Sequence, residues 1–200
     1  MFMKDFARTA VFAAPVSSPA DPCHATALRR LTCGMVAGTL VETATGWKPV
    51  QDLRMGEAVQ TLDGGLAPVR ALDRQLLKPD AMLVHVPGGA FDACSDLLLL
   101  PDQPVLLDTL GVRIADHDSL FVLVPAMALI GLHGVRRIET ARVLEVVTPL
   151  FDEDEMVYAQ TGVLLRCPGI ATGATAGFFA EVELPDAMAF LRHRDRLLAA

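Results

Sequence analysis

The chain has 200 residues, 52% of them apolar and 20% charged, with 24 acidic against 17 basic side chains. That length fits one domain with appendages and permits a real core, and the apolar content excludes a disordered chain. A net charge of −7 argues against nucleic acid as a partner, because phosphate backbones demand a basic surface.

Residues 1–30 read as an arm and a linker. Phe2, Phe6 and Ala10 fall at helical spacing, and Ala13–Pro22 is rich in Pro, Ser and Ala. Lys4 and Asp5 come early, and Pro15 interrupts the apolar stretch Ala10–Val16. A signal peptide is therefore not expected, and a cytoplasmic location is favoured. The domain proper is expected over residues 31–170. Its pattern is one of short strands: Thr39–Thr43, Trp47–Val50, Ala58–Leu62, Leu66–Leu72, Met82–Val86, Val105–Asp108 and Leu120–Val124. The Asp63–Gly64–Gly65 turn predicts a hairpin, since such turns need positive φ. Pro125 then predicts a helix with its body over Ala126–Leu132, Pro being tolerated in a first turn. Arg142–Phe151 is a long strand, and Met156–Gln160 with Val163–Cys167 form a hairpin. Residues 171–200 supply a small-residue link, Thr172–Gly177, and an amphipathic helix, Leu184–Ala200, with Phe190, Leu191, Arg194, Leu197 and Leu198 on one stripe. Many short strands and little helix define an all-β class. The apolar runs Leu97–Leu100 and Leu120–Leu132 are too short or too interrupted to span a membrane.

The four cysteines, Cys23, Cys33, Cys94 and Cys167, are scattered. They read as reduced thiols, several of them buried as small hydrophobes. Cys23, His24 and Cys33 lack the fourth ligand that a structural zinc site needs. His85, His117 and His133 show no metal-ligand spacing. The acidic run Asp152–Glu155 lacks the glycine and alternating ligands of a calcium loop. No metal and no cofactor is expected. Asp116–His117–Asp118–Ser119 and Cys33 together contain the residue types of a triad, but triads are defined by geometry.

Three stretches carry a family resemblance: Gly38–Thr43 (GTLVET), Gly46–Val59 (GWKPVQDLRMGEAV) and Thr61–Gly65 (TLDGG). Together they resemble the opening of a Hint domain, the fold shared by hedgehog C-terminal domains and inteins, and bacterial members most of all. Asp96–Leu107 (DLLLLPDQPVLL) resembles the family's second block, and Leu123–Ala128 and Leu150–Ala159 resemble later ones. The resemblance covers roughly residues 34–169 and implies a compact all-β Hint (hedgehog/intein)-like domain, here with an N-terminal arm and a C-terminal helix.

The resemblance also implies a chemistry. A first-position Cys attacks the carbonyl before it in an N-to-S acyl shift, and a second-block His protonates the departing amide nitrogen. The sequence departs from this pattern at each place. The family's Cys lies four residues before the Gly of "GT", and that position is Gly34; Cys33 is one residue further out. Either the loop carries an insertion and Cys33 is the nucleophile, or the nucleophile is lost; loss is preferred. The His position holds Gln103, which cannot transfer a proton near neutral pH. Asp154 stands where a later His is usual, and the C-terminal His–Asn pair is replaced by Leu165–Gly169. The site residues to examine are Cys33, Gln103 and Asp154. The expected function is a structural or binding module that has dropped cleavage. The alternatives are slow self-cleavage before Cys33 through a thioester, and an assembly module that docks an unknown protein partner through the arm or the C-terminal helix.

Overall fold

The computed structural model describes residues 32–62, 64–112, 114, 119–170 and 179–198. The expectations for the arm, for Cys23 and His24, for Asp116–Asp118 and for Thr172–Gly177 fall outside these residues.

Among the described residues, fifteen strands and one α-helix follow in chain order. They are β1 Met35–Val36, β2 Leu40–Thr43, β3 Gly46–Pro49, β4 Ala58–Thr61, β5 Gly65–Pro68, β6 Ala71–Leu77, β7 Met82–Val86, β8 Leu97–Leu99, β9 Pro104–Asp108, β10 Phe121–Pro125, β11 Arg136–Glu139, β12 Leu144–Leu150, β13 Glu155–Ala159, β14 Val163–Cys167, β15 Ala180–Glu181 and α1 Leu184–Leu198. The protein is all-β, as its strand pattern implies. β7 and β14 lie where the alternation puts them. The two-residue β1 and β15 and the polar β11 carry too little periodicity to be read from the sequence.

The helix expected over Ala126–Leu132 is only a 3₁₀ turn, Ala126–Leu129. Gly131, His133 and Gly134 all take positive φ just beyond it, so the chain leaves the helical region at once. Ala126, Ala128 and Leu129 are buried, and tertiary packing rather than helix propagation fixes this segment.

One sheet runs β11-β7-β8-β1-β12-β6; the other runs β15-β10-β9-β14-β13-β2-β4-β5, with β3 paired to β2. The largest apolar cluster draws on both sheets, from Met35, Leu99 and Val147 to Val105, Val124 and Leu165, and takes in Phe190 and Leu191 of α1. β9 is buried at four successive residues because both its faces are covered. Val105 and Leu107 point into the main core, and Leu106 joins Leu123, Met156 and Phe179 on the other side. A strand covered on two faces reads as a continuous apolar run rather than an alternation. The β6–β7 and β11–β12 connections are joined by the Asp80 N–H, which donates to the Thr140 carbonyl, and the Thr140 N–H, which donates to the Ala81 carbonyl; Val36, Leu83, Leu100 and Val146 form a further small cluster.

Among the described cysteines only Cys167 is buried; Cys33 is intermediate and Cys94 exposed. This corrects the expectation of several buried thiols. Cys94 follows Ala93, which is buried in the main core and bridges to the exposed Thr161.

Candidate functional site

The site forms where β1 enters the middle of its sheet. Met35 and Val36 pair with Val147 and Val146 of β12, and Met35 also pairs with Leu99 of β8. These pairings place Gly34 against the tight turn Leu100–Gln103, whose Gln103 N–H bonds the Leu100 carbonyl.

Gln103 is 1% exposed, and its amide is fully engaged. Its Oε1 accepts the Gly34 N–H at 2.7 Å. Its Nε2 donates to the Arg166 carbonyl at 3.0 Å and to the Pro104 carbonyl at 3.2 Å. A buried amide bonded at both ends has its desolvation cost offset and fixes the strands it joins. Gln103 thus ties β1 to β14.

The carbonyl on the other side of the same peptide is also held. Thr148 Oγ1 donates to Cys33 O at 3.0 Å. The peptide bond gripped at both its N–H and its C=O is therefore Cys33–Gly34. Gly34 itself has no room for a side chain. A Cβ there would lie 2.6 Å from Val146 Cγ1 and 2.7 Å from Thr148 Oγ1, and φ is +148°. Position 34, where the family resemblance implies a nucleophile, accepts only glycine unless Val146 and Thr148 of β12 give way.

Cys33 lies beside this peptide, in a cleft of about 590 Å³ bordered by Thr32, Asp102, Pro104, Arg166 and Glu181. Burial pushes its thiol above the ordinary value, with partial opposition from the Thr32 hydrogen bond and from Arg166. A thiol kept protonated is a weak nucleophile. Gln103 bonds the amide nitrogen of Gly34, one residue past that of Cys33.

Asp154 belongs to a neighbouring ion-pair group. Its Oδ2 accepts from Arg166 Nε at 2.9 Å and its Oδ1 accepts the Gly169 N–H at 2.9 Å. Arg166 Nη1 also reaches Glu181 at 2.9 Å. Arg166 holds its charge although burial opposes it, because the two carboxylates stabilise it. Asp154 reaches the site only through Arg166. Asp152 of the same acidic run pairs with Arg70. Of the other histidines, His85 pairs with Asp96 and His133 with Asp195. No group of three metal-ligand side chains is found among the described residues.

Three participants went unread in the sequence: Thr148, Arg166 and Glu181. Two of them carried a signal. Arg166 is the single charge in the apolar strand VLLRC, and Thr148 the single hydroxyl between VV and PL. Glu181 lies in a two-residue strand and gave none.

The family model of the Hint domain matches residues 33–164, and the chain belongs to the Hint-domain family. Among solved structures it is similar to a bacterial intein-like domain from Clostridium thermocellum, at 15% identity, with 66% of this chain and 97% of that one covered and a TM-score of 0.44. It is also similar to the AceL NrdHF class 3 split intein in a splice-inactive variant, at 11% identity, 68% and 97% coverage and a TM-score of 0.43. The MchDnaB-1 intein is a third, at 15% identity, 66% and 98% coverage and a TM-score of 0.39. No curated protein matches the chain. No helix among the described residues is long and apolar enough to cross a membrane.

Proposed function

We propose that this Hint domain has given up self-cleavage and serves as a structural or binding module that keeps the Cys33–Gly34 peptide intact. The observation that carries this reading is the contact of Gln103 with Gly34. A departing amide nitrogen must receive a proton. Gln103 Oε1 instead accepts the proton that nitrogen already has, and its Nε2 hydrogens, bonded to the Arg166 and Pro104 carbonyls, are not acidic enough to be transferred near neutral pH. The residue that supplies this nitrogen is the one the family uses as nucleophile, and here it is a glycine packed against Val146 and Thr148. Thr148 still polarises the Cys33 carbonyl, so one part of the site, a donor to the carbonyl oxygen, is retained. General acid catalysis contributes ~10²–10⁴-fold, and a missing nucleophile removes the covalent route altogether.

The test is the intact mass of the purified full chain during prolonged incubation with hydroxylamine or dithiothreitol, either of which traps a thioester. The expected result is an unchanged mass. Release of residues 1–32, abolished by Cys33→Ala, would overturn the reading in favour of cleavage before Cys33. Gln103→His alone is expected to leave the mass unchanged, because it restores a proton donor without a nucleophile.

A further inference from the structure

The family match ends at residue 164, and the chain then returns to the same cleft from another side. Ala180 and Glu181 add to β10 as a parallel strand opposite Val122 and Leu123. The Val182 N–H donates to the Leu123 carbonyl at 3.0 Å, and the Glu181 carboxylate binds Arg166 at 2.9 Å. Val182 is buried in the main core. Glu181, Val182, Glu183 and Leu184 therefore make one wall of the cleft that holds Cys33. An extended segment laid along a strand edge, bonded by its main chain and fixed in register by one side chain, is how a peptide binds by strand addition. Here the chain supplies that segment to itself.

We propose that Ala180–Leu184 is a strap, which fills in cis a strand-binding groove along β10 and so limits what reaches Cys33. The groove fits an extended segment with a carboxylate placed to meet Arg166. The proposal concerns access to the cleft and holds whether or not the domain cleaves.

The test uses the full chain in a Cys23→Ala, Cys94→Ala background, which leaves Cys33 and the buried Cys167. Cys33 is modified with small iodoacetamide and with a bulky maleimide, and the ratio of the two rates is read. A change in thiol ionisation alters both rates alike and cancels in the ratio, whereas opening of the strap favours the bulky reagent. Val182→Pro removes the donor to Leu123, and Glu181→Ala removes the anchor on Arg166. Each is expected to raise the relative rate of the bulky reagent roughly five- to tenfold, the scale of one lost hydrogen bond in a local opening. An unchanged ratio in both variants, with Cys167 still unreactive, would overturn the proposal. If Val182→Pro unfolds the chain, Cys167 becomes reactive, and Glu181→Ala alone then decides by the same criterion. Retention of full mass in hydroxylamine is a separate readout, so failure of the strap and failure of the non-cleaving reading are distinguishable.

Discussion

At the scale of single residues, Gly34 is the position on which the site turns. Any Cβ there meets Val146 and Thr148 well inside contact distance. Gly34→Ala is therefore expected to cost about 1–3 kcal/mol, the usual range for forced overpacking, read as a lower urea midpoint. Trimming the obstruction with Val146→Ala should recover part of that loss in the double mutant, and strict additivity would show that the two side chains do not meet. Cys33 gives a prediction in pH. Its folded thiol titrates above the ordinary value because it is buried. The neutral form is thus favoured in the folded state. The stability this contributes is complete below the unfolded thiol pKa and is lost as pH rises through the folded one. The rate of Cys33 alkylation should accordingly inflect at higher pH than that of cysteine in a short peptide blocked at both ends. An inflection at or below the free-thiol value would remove burial as the controlling factor.

At the scale of elements, the loops after β7 and β13 meet under backbone strain. Phe91, Asp92, Gln160 and Thr161 all take positive φ, and the bridge from Ala93 to Thr161 with the Cys94 N–H to Gln160 O bond joins the two loops. Thr161, at φ +83°, is β-branched and exposed, so its conformation has no compensating burial. Thr161→Gly should stabilise the fold by up to about 1 kcal/mol, the relief of strain less the entropy that glycine loses. A destabilised variant would mean that the threonine makes a contact worth more than its strain. β14 shows the opposite economy. Its inward residues Val163, Leu165 and Cys167 are buried, while its outward Arg166 carries two carboxylate partners. One strand thereby contributes to the core and to the site on opposite faces, as a period of two requires.

At the scale of the whole molecule, α1 lies beyond the family match and yet belongs to the core. Ala187, Phe190 and Leu191 are buried in the cluster shared by the two sheets, while Leu197 and Leu198 at the helix end are half exposed. Phe190→Ala should cost about 3–5 kcal/mol, and Leu198→Ala should stay within ~0.5 kcal/mol. Both variants are expected to melt in one cooperative transition. Two separate transitions in Phe190→Ala would show that the helix is an independent unit. The all-β class was legible because alternation and turn residues recur through the chain. β7 and β14 lie at the residues where the pattern places them, and the Gly38–Gly65 blocks carry the family. The candidate site was legible only in part. Gln103 could be found because a block supplied its register. The groups that complete the site could not be placed beside it, since Arg166, whose carbonyl Gln103 bonds, and Thr148, which bonds the Cys33 carbonyl, lie far along the chain in β14 and β12.

The sequence by itself determined the class, the family and the departures from the family pattern, because these depend on residue type and on local spacing. Periodicity, turn chemistry and the identity of a side chain at a motif position are properties of short stretches. Tertiary structure decided which peptide bond is held. Whether Cys33 or Gly34 faces Gln103 depends on the register of β1 between β8 and β12, and a shift of one residue moves every side chain to the other face. It also decided that Gly34 has no space around it, which is a fact about Val146 and Thr148 on β12 rather than about the glycine. The strap along β10 follows the same rule. Two residues of strand have no pattern to read, and only the return of the chain to β10 shows where Glu181 goes.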